Sequence, residues 1–472
     1  MSVAIPWPGV GAAAGGHDGA MIDVLWGVGG MAALLLIAVL CSSDRRAIRP
    51  RTVLTALALQ VGFGILVLSW SVGGRALEAT SSGVQAVIDS SGEGIGFLFG
   101  PVLPAEDQGT VVAFQVLPVI IFFASLTAVL YHLGVLQRVV EVLGGGLGRL
   151  LGTGREESVN AAANIFVGQT EAPLVIKPYV AGLSRSALFA VMVGGLSTVA
   201  GSVLVGYSLL GAELDYLIAA SFMAAPGALL MAKIIMPEPR AEEAAAGIGG
   251  GAAARDAEVA AGWEAAVAPA DESRGEAGAP RGGSTTSYHE RDPVEEQSPE
   301  RARNVIDAAA NGAADGLRLA LTIGAMLLAF ISLIALVNLL VGGIGGWFGA
   351  EDLTVEQVLG YVFAPVMALI GVPWNEAVEA GSFVGQKIVL NEFVAFADFG
   401  PVAGEYSEKT AAIITFALTG FANLGSLGIL LGGLGGIAPE RRGDIASLGL
   451  RAILAATLAN LMSAAIAGIL IG

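Results

Sequence analysis

Long apolar runs alternate with short polar stretches along most of this chain. About 20 apolar residues are needed for a helix to cross the roughly 30 Å hydrocarbon core of a bilayer. Eight runs have this character, and they cover residues 21–41, 52–72, 111–133, 186–210, 214–236, 318–341, 411–434 and 448–471. The pattern predicts an all-α integral membrane protein with eight transmembrane helices.

Two further segments place polar residues inside apolar surroundings. The first, residues 156–180, contains Glu171 two residues before Pro173, and the second, residues 373–399, contains Glu392. Proline breaks helical hydrogen bonding, so the first segment does not read as one uninterrupted spanning helix. The second places the Glu392 carboxylate beside the Asn391 amide in a short apolar segment. Irregular backbone inside a membrane survives only beside protein or a water-filled cavity. We therefore expect two re-entrant hairpins whose acidic tips stop part-way through the bilayer, where an ionisable group indicates a functional site.

Each expected hairpin is followed by an apolar run that glycine and serine interrupt. Hairpin 156–180 precedes the interrupted run 186–210 in a first repeat, 111–237, and hairpin 373–399 precedes the run 411–434 in a second repeat, 304–472, which ends with the span 448–471. Paired interrupted helices in repeats of opposite orientation are typical of secondary transporters with a site near the bilayer midplane.

Arginines set the orientation expected for these elements. Arg45 and Arg46 follow the first run, and the positive-inside rule assigns them to the cytoplasm. The N-terminal tail, residues 1–20, and the C-terminus of this cell-membrane protein are then extracytoplasmic. The first hairpin enters from the cytoplasm and the second from outside, which makes the repeat an inverted one.

Four segments are too polar or too amphipathic to span. Within the N-terminal part, 21–110, residues 75–98 form either an interfacial amphipathic helix or an ordinary loop. Residues 304–317 predict a surface helix, and residues 353–370 suit the outer interface. Residues 238–303 are rich in Ala, Gly, Glu, Pro and Ser, which predicts a disordered acidic cytoplasmic linker.

Composition limits the classes of protein to which this chain can belong. Of 472 residues 54% are hydrophobic and only 14% are charged, whereas soluble domains carry about 25% charge. The net charge of −17 argues against a nucleic-acid partner. A single cysteine excludes an internal disulfide framework, and the three histidines suggest no metal centre or acid–base pair.

Three separated motifs resemble those of the concentrative nucleoside transporter family. They are Gly385-x-Lys387-x-x-x-Asn391-Glu392-Phe393-Val394-Ala395-Phe396, Gly168-Gln169-Thr170-Glu171-Ala172-Pro173 and Gly420-Phe421-Ala422-Asn423. The resemblance covers both hairpins, both interrupted runs and most spans between them. It fails over the first twenty residues and over 238–303.

The resemblance implies a homotrimer in membrane lipid that imports purine or pyrimidine nucleosides by symport with sodium, through alternating access. It implies that the nucleobase is bound by Gln169, Thr170 and Glu171, with Gly168 leaving room and Val203 packing on the ring. It implies that the ribose is held by Glu392, Asn423 and Ser426, with Phe421 lining the pocket. It implies that sodium is held by Asn164, Thr198 and the carbonyl groups of Val167 and Val199.

Plainer roles compete with these assignments. Glu171 can pair with Lys177 and Glu392 with Lys387, Asn164 can cap a hairpin helix, and the Thr198 hydroxyl can bond within its own helix. Asn423 and Ser426 can serve only helix packing.

Other functions also compete with sodium symport. Proton coupling is the nearest alternative. A cation channel with a glutamate filter and a membrane-embedded hydrolase using Glu171 and Glu392 belong to other classes. Nothing in the sequence supplies a second nucleophile or a metal set for a hydrolase, so we expect a transporter and no enzyme. Gly168 and Val199 resemble the residues of purine-tolerant or broad members of this family more than those of pyrimidine-restricted ones.

Overall fold

The computed structural model describes residues 17–104, 111–239, 302–347, 349 and 353–472. In this part of the chain all regular structure is helical, and the residues before 239 and after 303 form one compact unit. Residues 240–301 of the predicted linker 238–303 and most of the predicted tail 1–20 lie outside the described residues. Glu238 is described and pairs with Lys233, so the ordered chain extends past the predicted start of the linker.

The N-terminal part consists of three helices. Helix α1 is His17–Leu40, α2 is Pro50–Gly64, and α3 is Ser71–Phe99. A π-helical turn, Ile65–Ser69, continues α2. Helix α3 resolves the choice left open for residues 75–98 in favour of a helix, and its Ile88 packs against Val119 and Val205.

The next eight helices belong to the predicted first repeat. They are α4 Leu117–His132, α5 Val135–Leu151, α6 Arg155–Ala163, α7 Ala172–Val175, α8 Lys177–Val180, α9 Arg185–Ser197, α10 Gly201–Leu209 and α11 Leu214–Ile235. The sequence analysis missed α5, whose buried residues Leu136, Val140, Leu147 and Leu151 recur at helical spacing. At Gly144 a β-carbon would lie 2.7 Å from the backbone of Val159, so only glycine lets α5 pack this closely on α6.

The remaining seven helices belong to the predicted second repeat. They are α12 Val305–Gly346, α13 Val355–Leu369, α14 Trp374–Val389, α15 Glu392–Phe399, α16 Glu408–Leu418, α17 Leu424–Ile437 and α18 Arg442–Ile471. Residues 304–317 and the following span are one helix of 42 residues, α12, and not the two elements expected. Helices α13 and α14 meet at a bend of 117°.

Six helical elements in the described residues are long and apolar enough to cross a membrane. They are Pro50–Ser69, Val112–His132, Arg185–Leu209, Leu214–Ile235, Val305–Gly346 and Pro439–Ile471. Of the eight predicted spans, 21–41 contributes a shorter apolar stretch, Val24–Leu40, and 411–434 is divided between α16 and α17. These elements give a multi-pass, all-α membrane fold.

The most buried helices lie around the two interrupted spans. Nearly every residue of α9 and α11 is buried, as is most of α18 from Ile445 onward. Helix α9 begins where Ser184 accepts a hydrogen bond from the amide of Ala187, which satisfies a free donor of the first turn. This packing holds the ends of the interrupted helices in the interior.

Candidate functional site

The first interruption lies between α9 and α10 and contacts the tip of the first hairpin. Residues Thr198 and Ala200 are extended, and the Gly201 amide donates a 3.1 Å hydrogen bond to the Phe166 carbonyl. A β-carbon on Gly195 would lie 2.9 Å from the side chain of Gln169. Glycine at this position therefore lets the predicted base-binding Gln169 pack directly on α9.

The second interruption lies between α16 and α17 and requires a glycine. Gly420 has a φ of +152°, a backbone conformation that residues other than glycine rarely adopt. A β-carbon there would lie 2.5 Å from Asn460 Oδ1 and 2.8 Å from the Ser197 carbonyl oxygen. The next residue, Phe421, donates a 3.2 Å backbone hydrogen bond to the Thr198 carbonyl. The two interrupted helices therefore contact each other at their breaks.

Asn460 of α18 joins the two breaks. Its Nδ2 group donates hydrogen bonds to the carbonyl oxygens of Ser197, at 2.7 Å, and Thr419, at 2.8 Å. Its Oδ1 atom accepts a 2.9 Å bond from Lys387. The sequence analysis missed Asn460, although a polar amide within the apolar run 448–471 is the signal that marks such a residue.

Glu392 has a buried carboxylate that both repeats contact. It is 5% exposed, and it begins α15 directly after Asn391, whose side chain accepts a 2.9 Å bond from the Val394 amide. Tyr207 of α10 donates a 3.0 Å bond to Glu392 Oε1, and Asn423 donates a 2.8 Å bond to Oε2. Each carboxylate oxygen has a second lone pair, so the group can accept further donors.

Packing and capping fix both donors to Glu392. The Tyr207 ring stacks on Phe396 with centroids 4.3 Å apart, and its hydroxyl group has Glu392 as its partner. Asn423 caps α17 by accepting a 2.8 Å bond from the Ser426 amide. The sequence analysis predicted Asn423 and Ser426 but missed Tyr207. A tyrosine inside an apolar span needs a partner for its hydroxyl group, and that requirement is the signal that could have found it.

The ion pairs considered as alternatives are not formed. Lys387 donates to the Ala417 carbonyl and to Asn460, and no ion pair joins it to Glu392. Glu171 Oε2 instead accepts a 3.3 Å bond from the Gly168 amide, and no ion pair joins it to Lys177. The Thr198 hydroxyl does bond within its own helix, to the Gly194 carbonyl at 2.9 Å.

The tip of the first hairpin contacts α17 of the second repeat. A β-carbon on Gly433 would lie 2.9 Å from the Thr170 side chain. Ser426 and Gly433 are seven residues apart, so they occupy one face of α17 about 10 Å from each other. Gln169 is buried with Oε1 unpaired, whereas Thr170 and Glu171 are exposed. Polar groups of the first hairpin and of the second interruption therefore lie along the same side of α17.

Two predicted pocket residues lie beside these groups. Val203 is buried on α10, one turn before Tyr207. Phe421 is partly buried at the start of the second interruption. Neither side chain has a polar contact, so both can supply only apolar surface.

Asn164 supplies an unpaired oxygen at the end of α6. Its Nδ2 group donates a 2.9 Å bond to the Asn160 carbonyl, while its buried Oδ1 atom has no hydrogen-bond partner among the described residues. Oδ1 lies 3.8 Å from the place of a β-carbon on Gly195, near the end of α9. Amide and hydroxyl oxygens suit a hard cation. Among the described residues no group of three His, Cys, Asp or Glu side chains suits a metal ion.

A buried charge cluster holds the base of the first hairpin. Lys233 of α11 lies 2.6 Å from Glu157 of α6 and 2.8 Å from Glu238, and it donates to Ser186 of α9 at 3.1 Å. Glu157 also accepts a 2.8 Å bond from the Gly154 amide. Ser186 in turn donates to the Met236 carbonyl at 2.7 Å. The beginnings of α6 and α9 and the end of α11 are thus joined at one point.

Three family models match consecutive parts of the chain. They are described as Na+ dependent nucleoside transporter N-terminus, over residues 29–102, nucleoside recognition gate, over 113–213, and Na+ dependent nucleoside transporter C-terminus, over 216–468. Together they leave few of the described residues unmatched.

Relatives match over nearly their full length. An uncharacterized transporter of Bacillus subtilis, YutK, is 52% identical over 95% of this chain and 100% of its own. The nucleoside permease NupC of Helicobacter pylori is 45% identical over 95% and 98%. The solved structure of CNTnw in an inward-facing substrate-bound state has a TM-score of 0.80 and 46% identity over 95% of this chain and 98% of that one. From these matches and its helical membrane fold, the chain belongs to the concentrative nucleoside transporter family and is a membrane transporter, not an enzyme.

Proposed function

We propose that this protein imports nucleosides across the cell membrane by symport with sodium. The observation that carries the proposal is the buried carboxylate of Glu392, which Tyr207 and Asn423 hold from two different helices. Ionisable groups are costly within a membrane and usually face a functional cavity. A carboxylate oriented in this way is suited to accept hydrogen bonds from the two ribose hydroxyl groups.

The remaining polar groups along α17 fit the two ends of a nucleoside. Glu392, Asn423 and Ser426 would bind the ribose, with Phe421 against it. Gln169, Thr170 and Glu171 would bind the base, with Gly168 leaving space and Val203 packing on the ring. The contact of Thr170 with Gly433, about 10 Å along α17 from Ser426, supports this division of the site.

Sodium would be the second transported solute. Asn164 Oδ1, the Thr198 hydroxyl oxygen and the carbonyl groups of Val167 and Val199 would bind it between the first hairpin and the first interruption. The buried Oδ1 atom without a partner supports this placement. An ion bound there would order the hairpin tip that carries Gln169 and so raise nucleoside affinity. Thermodynamic linkage makes that effect reciprocal, which is the basis of coupling.

Access would alternate as the part that carries the hairpins moves against a scaffold. In this proposal both hairpins are re-entrant, both termini are extracytoplasmic, and three copies assemble in lipid. Large apolar side chains exposed on α12, such as Leu328, Leu336 and Leu339, support contact with lipid or with a second copy. Helix α12 is about 63 Å long, well beyond the thickness of a bilayer core.

Uptake of labelled uridine into proteoliposomes tests the proposal. We expect accumulation above the external concentration under an inward sodium gradient, and its loss when choline replaces sodium at fixed pH. Uptake that persists in choline and follows a pH gradient would indicate proton coupling instead. Uptake that only equilibrates would indicate a channel.

Two pairs of variants assign the sites. Glu392→Gln should abolish uptake, while Glu93→Gln, at an exposed carboxylate of α3, should leave it unchanged. Asn164→Ala should raise the sodium concentration for half-maximal uptake by about tenfold or more, since it removes one oxygen ligand. Asn160→Ala removes a second buried amide one turn away. A larger effect on sodium dependence in that variant would indicate that the ion binds at Asn160 and not at Asn164.

A further inference from the structure

Lys387 is a buried lysine beside the proposed nucleoside site that contacts neither the proposed nucleoside ligands nor the proposed sodium ligands. It lies in the last turn of α14, five residues before Glu392, and is 1% exposed. Its ammonium group donates hydrogen bonds to the Ala417 carbonyl, at 2.7 Å, and to Asn460 Oδ1, at 2.9 Å. Among the described residues no carboxylate forms an ion pair with it. A buried ammonium group is costly unless its donors have acceptors, and these two oxygens accept two of its hydrogen bonds.

One oxygen bonded to Lys387 lies at the end of an interrupted helix, and the other belongs to Asn460 of α18, which bonds to both interruptions. Ala417 is the second-last residue of α16, and the last carbonyl groups of a helix lack internal donors and carry the negative end of the helix dipole. The Asn460 side chain donates hydrogen bonds to the equivalent carbonyl groups, those of Ser197 at the end of α9 and Thr419 after α16. The ammonium group and the amide together satisfy carbonyl ends of both interrupted helices.

Near its own interruption the first repeat has a polar group of a different kind, Asn164, which is seven residues before Glu171, whereas Lys387 is five residues before Glu392. Asn164 follows the first helix of its hairpin, precedes the acidic residue Glu171, and faces the end of α9. It supplies an unpaired oxygen, whereas Lys387 supplies a positive charge. One repeat therefore offers a ligand to a cation, and the other carries a cation on its own chain.

Lys387 and Glu392 hold the second interruption from both sides. Lys387 contacts the chain before Gly420, at Ala417, and Glu392 contacts it after Gly420, at Asn423. Both side chains come from the same hairpin. The segment that ends in Asn423 is therefore fixed relative to Glu392 at two points.

We propose that Lys387 is a built-in cation of the second repeat, which replaces a bound ion there and positions the Asn423–Glu392 pair for the nucleoside. Lys387 is a positioning residue in this scheme and touches no substrate. The inference rests on the proposed nucleoside site. It adds that the first repeat would bind a sodium ion, whereas the second would use the ammonium group of Lys387.

The test compares Lys387→Met with Lys177→Met, which removes an exposed lysine from the first hairpin. Two quantities are measured on purified protein in detergent. Uridine affinity is measured by calorimetry at saturating sodium, and sodium affinity is measured from thermal protection without nucleoside. We expect Lys387→Met to weaken uridine binding by about 10- to 100-fold and to change sodium affinity by less than about twofold. Lys177→Met should change neither.

Other outcomes would contradict either the role of Lys387 or the proposed function on which that role rests, and the two cases can be told apart. Unchanged uridine affinity in folded Lys387→Met protein would contradict the positioning role, and equal losses of both affinities would indicate a general structural role. If that variant does not fold, Lys387→Gln keeps a hydrogen-bond donor at this position and removes the charge. It should reproduce the selective loss of uridine affinity, and unchanged uridine affinity would again contradict the inference. Wild-type protein that binds no nucleoside would refute the proposed function instead.

Discussion

Tyr207 donates a 3.0 Å hydrogen bond to Glu392, so a helix of the first repeat directly orients the carboxylate of the second. The bond lies in a buried aromatic cluster with Phe393 and Phe396. Orientation of this carboxylate therefore depends on both predicted repeats and not on the predicted second hairpin alone.

Tyr207→Phe should weaken nucleoside binding while leaving the fold intact. The ring can keep its stacking on Phe396, and one hydrogen bond to a charged acceptor is lost, at a cost of about 1.5–3 kcal/mol. Calorimetry with uridine should show a loss of affinity of about tenfold or more. Tyr406→Phe is the matched control, because Tyr406 donates to the exposed Glu379 away from the site. Equal effects of the two variants would contradict the role of Tyr207.

Gly420→Ala should destabilise the protein. Its φ of +152° is unfavourable for alanine, and the added carbon would meet Asn460 and the Ser197 carbonyl within 3 Å. We expect a loss of about 2 kcal/mol or more, seen as a lower melting temperature in detergent. Gly436→Ala, in α17 with no atom near the added carbon, should be neutral or slightly stabilising. If Gly420→Ala is as stable as Gly436→Ala, the interruption between α16 and α17 accommodates a β-carbon without strain.

The helical character of the chain and the places where helices are interrupted were predictable from sequence. Apolar runs of about 20 residues define membrane helices, and the glycine-containing polar segments 194–202 and 419–426 mark the positions where α9 and α16 end. These are local properties. The motifs also identified Glu392 and Asn423, which the structure brings to 2.8 Å.

Partners from distant parts of the chain were not predictable. Tyr207 and Asn460 lie in runs that read as ordinary spans, and their polar groups find partners 185 and 263 residues away. Nothing in local periodicity specifies such a pairing. Helix α5 was not predicted because arginines among its apolar positions hid the helical spacing of its buried residues.

Lys233→Met should be strongly destabilising. It leaves Glu157, which is 2% exposed, buried without its 2.6 Å partner, and breaking a buried ion pair costs about 3–5 kcal/mol. We expect less folded protein and a large fall in melting temperature. The double variant Glu157→Gln with Lys233→Met removes both charges and should recover most of that loss. A double variant less stable than Lys233→Met alone would show that the charge of Glu157 has another partner.

Glu238 should make stability depend on pH in the acid range. Burial alone would raise its pKa, but the charge and hydrogen bond of Lys233 outweigh burial and hold the pKa of Glu238 below its ordinary value. Stability from this group is therefore complete above the ordinary carboxyl pKa, near 4.5, and is lost as pH falls through the lower pKa of the folded state. Melting temperatures of wild type and Glu238→Gln, measured from pH 7 to pH 3, should differ most at pH 7 and converge as the pH falls. Curves that stay parallel over this range would show that Glu238 does not titrate with folding.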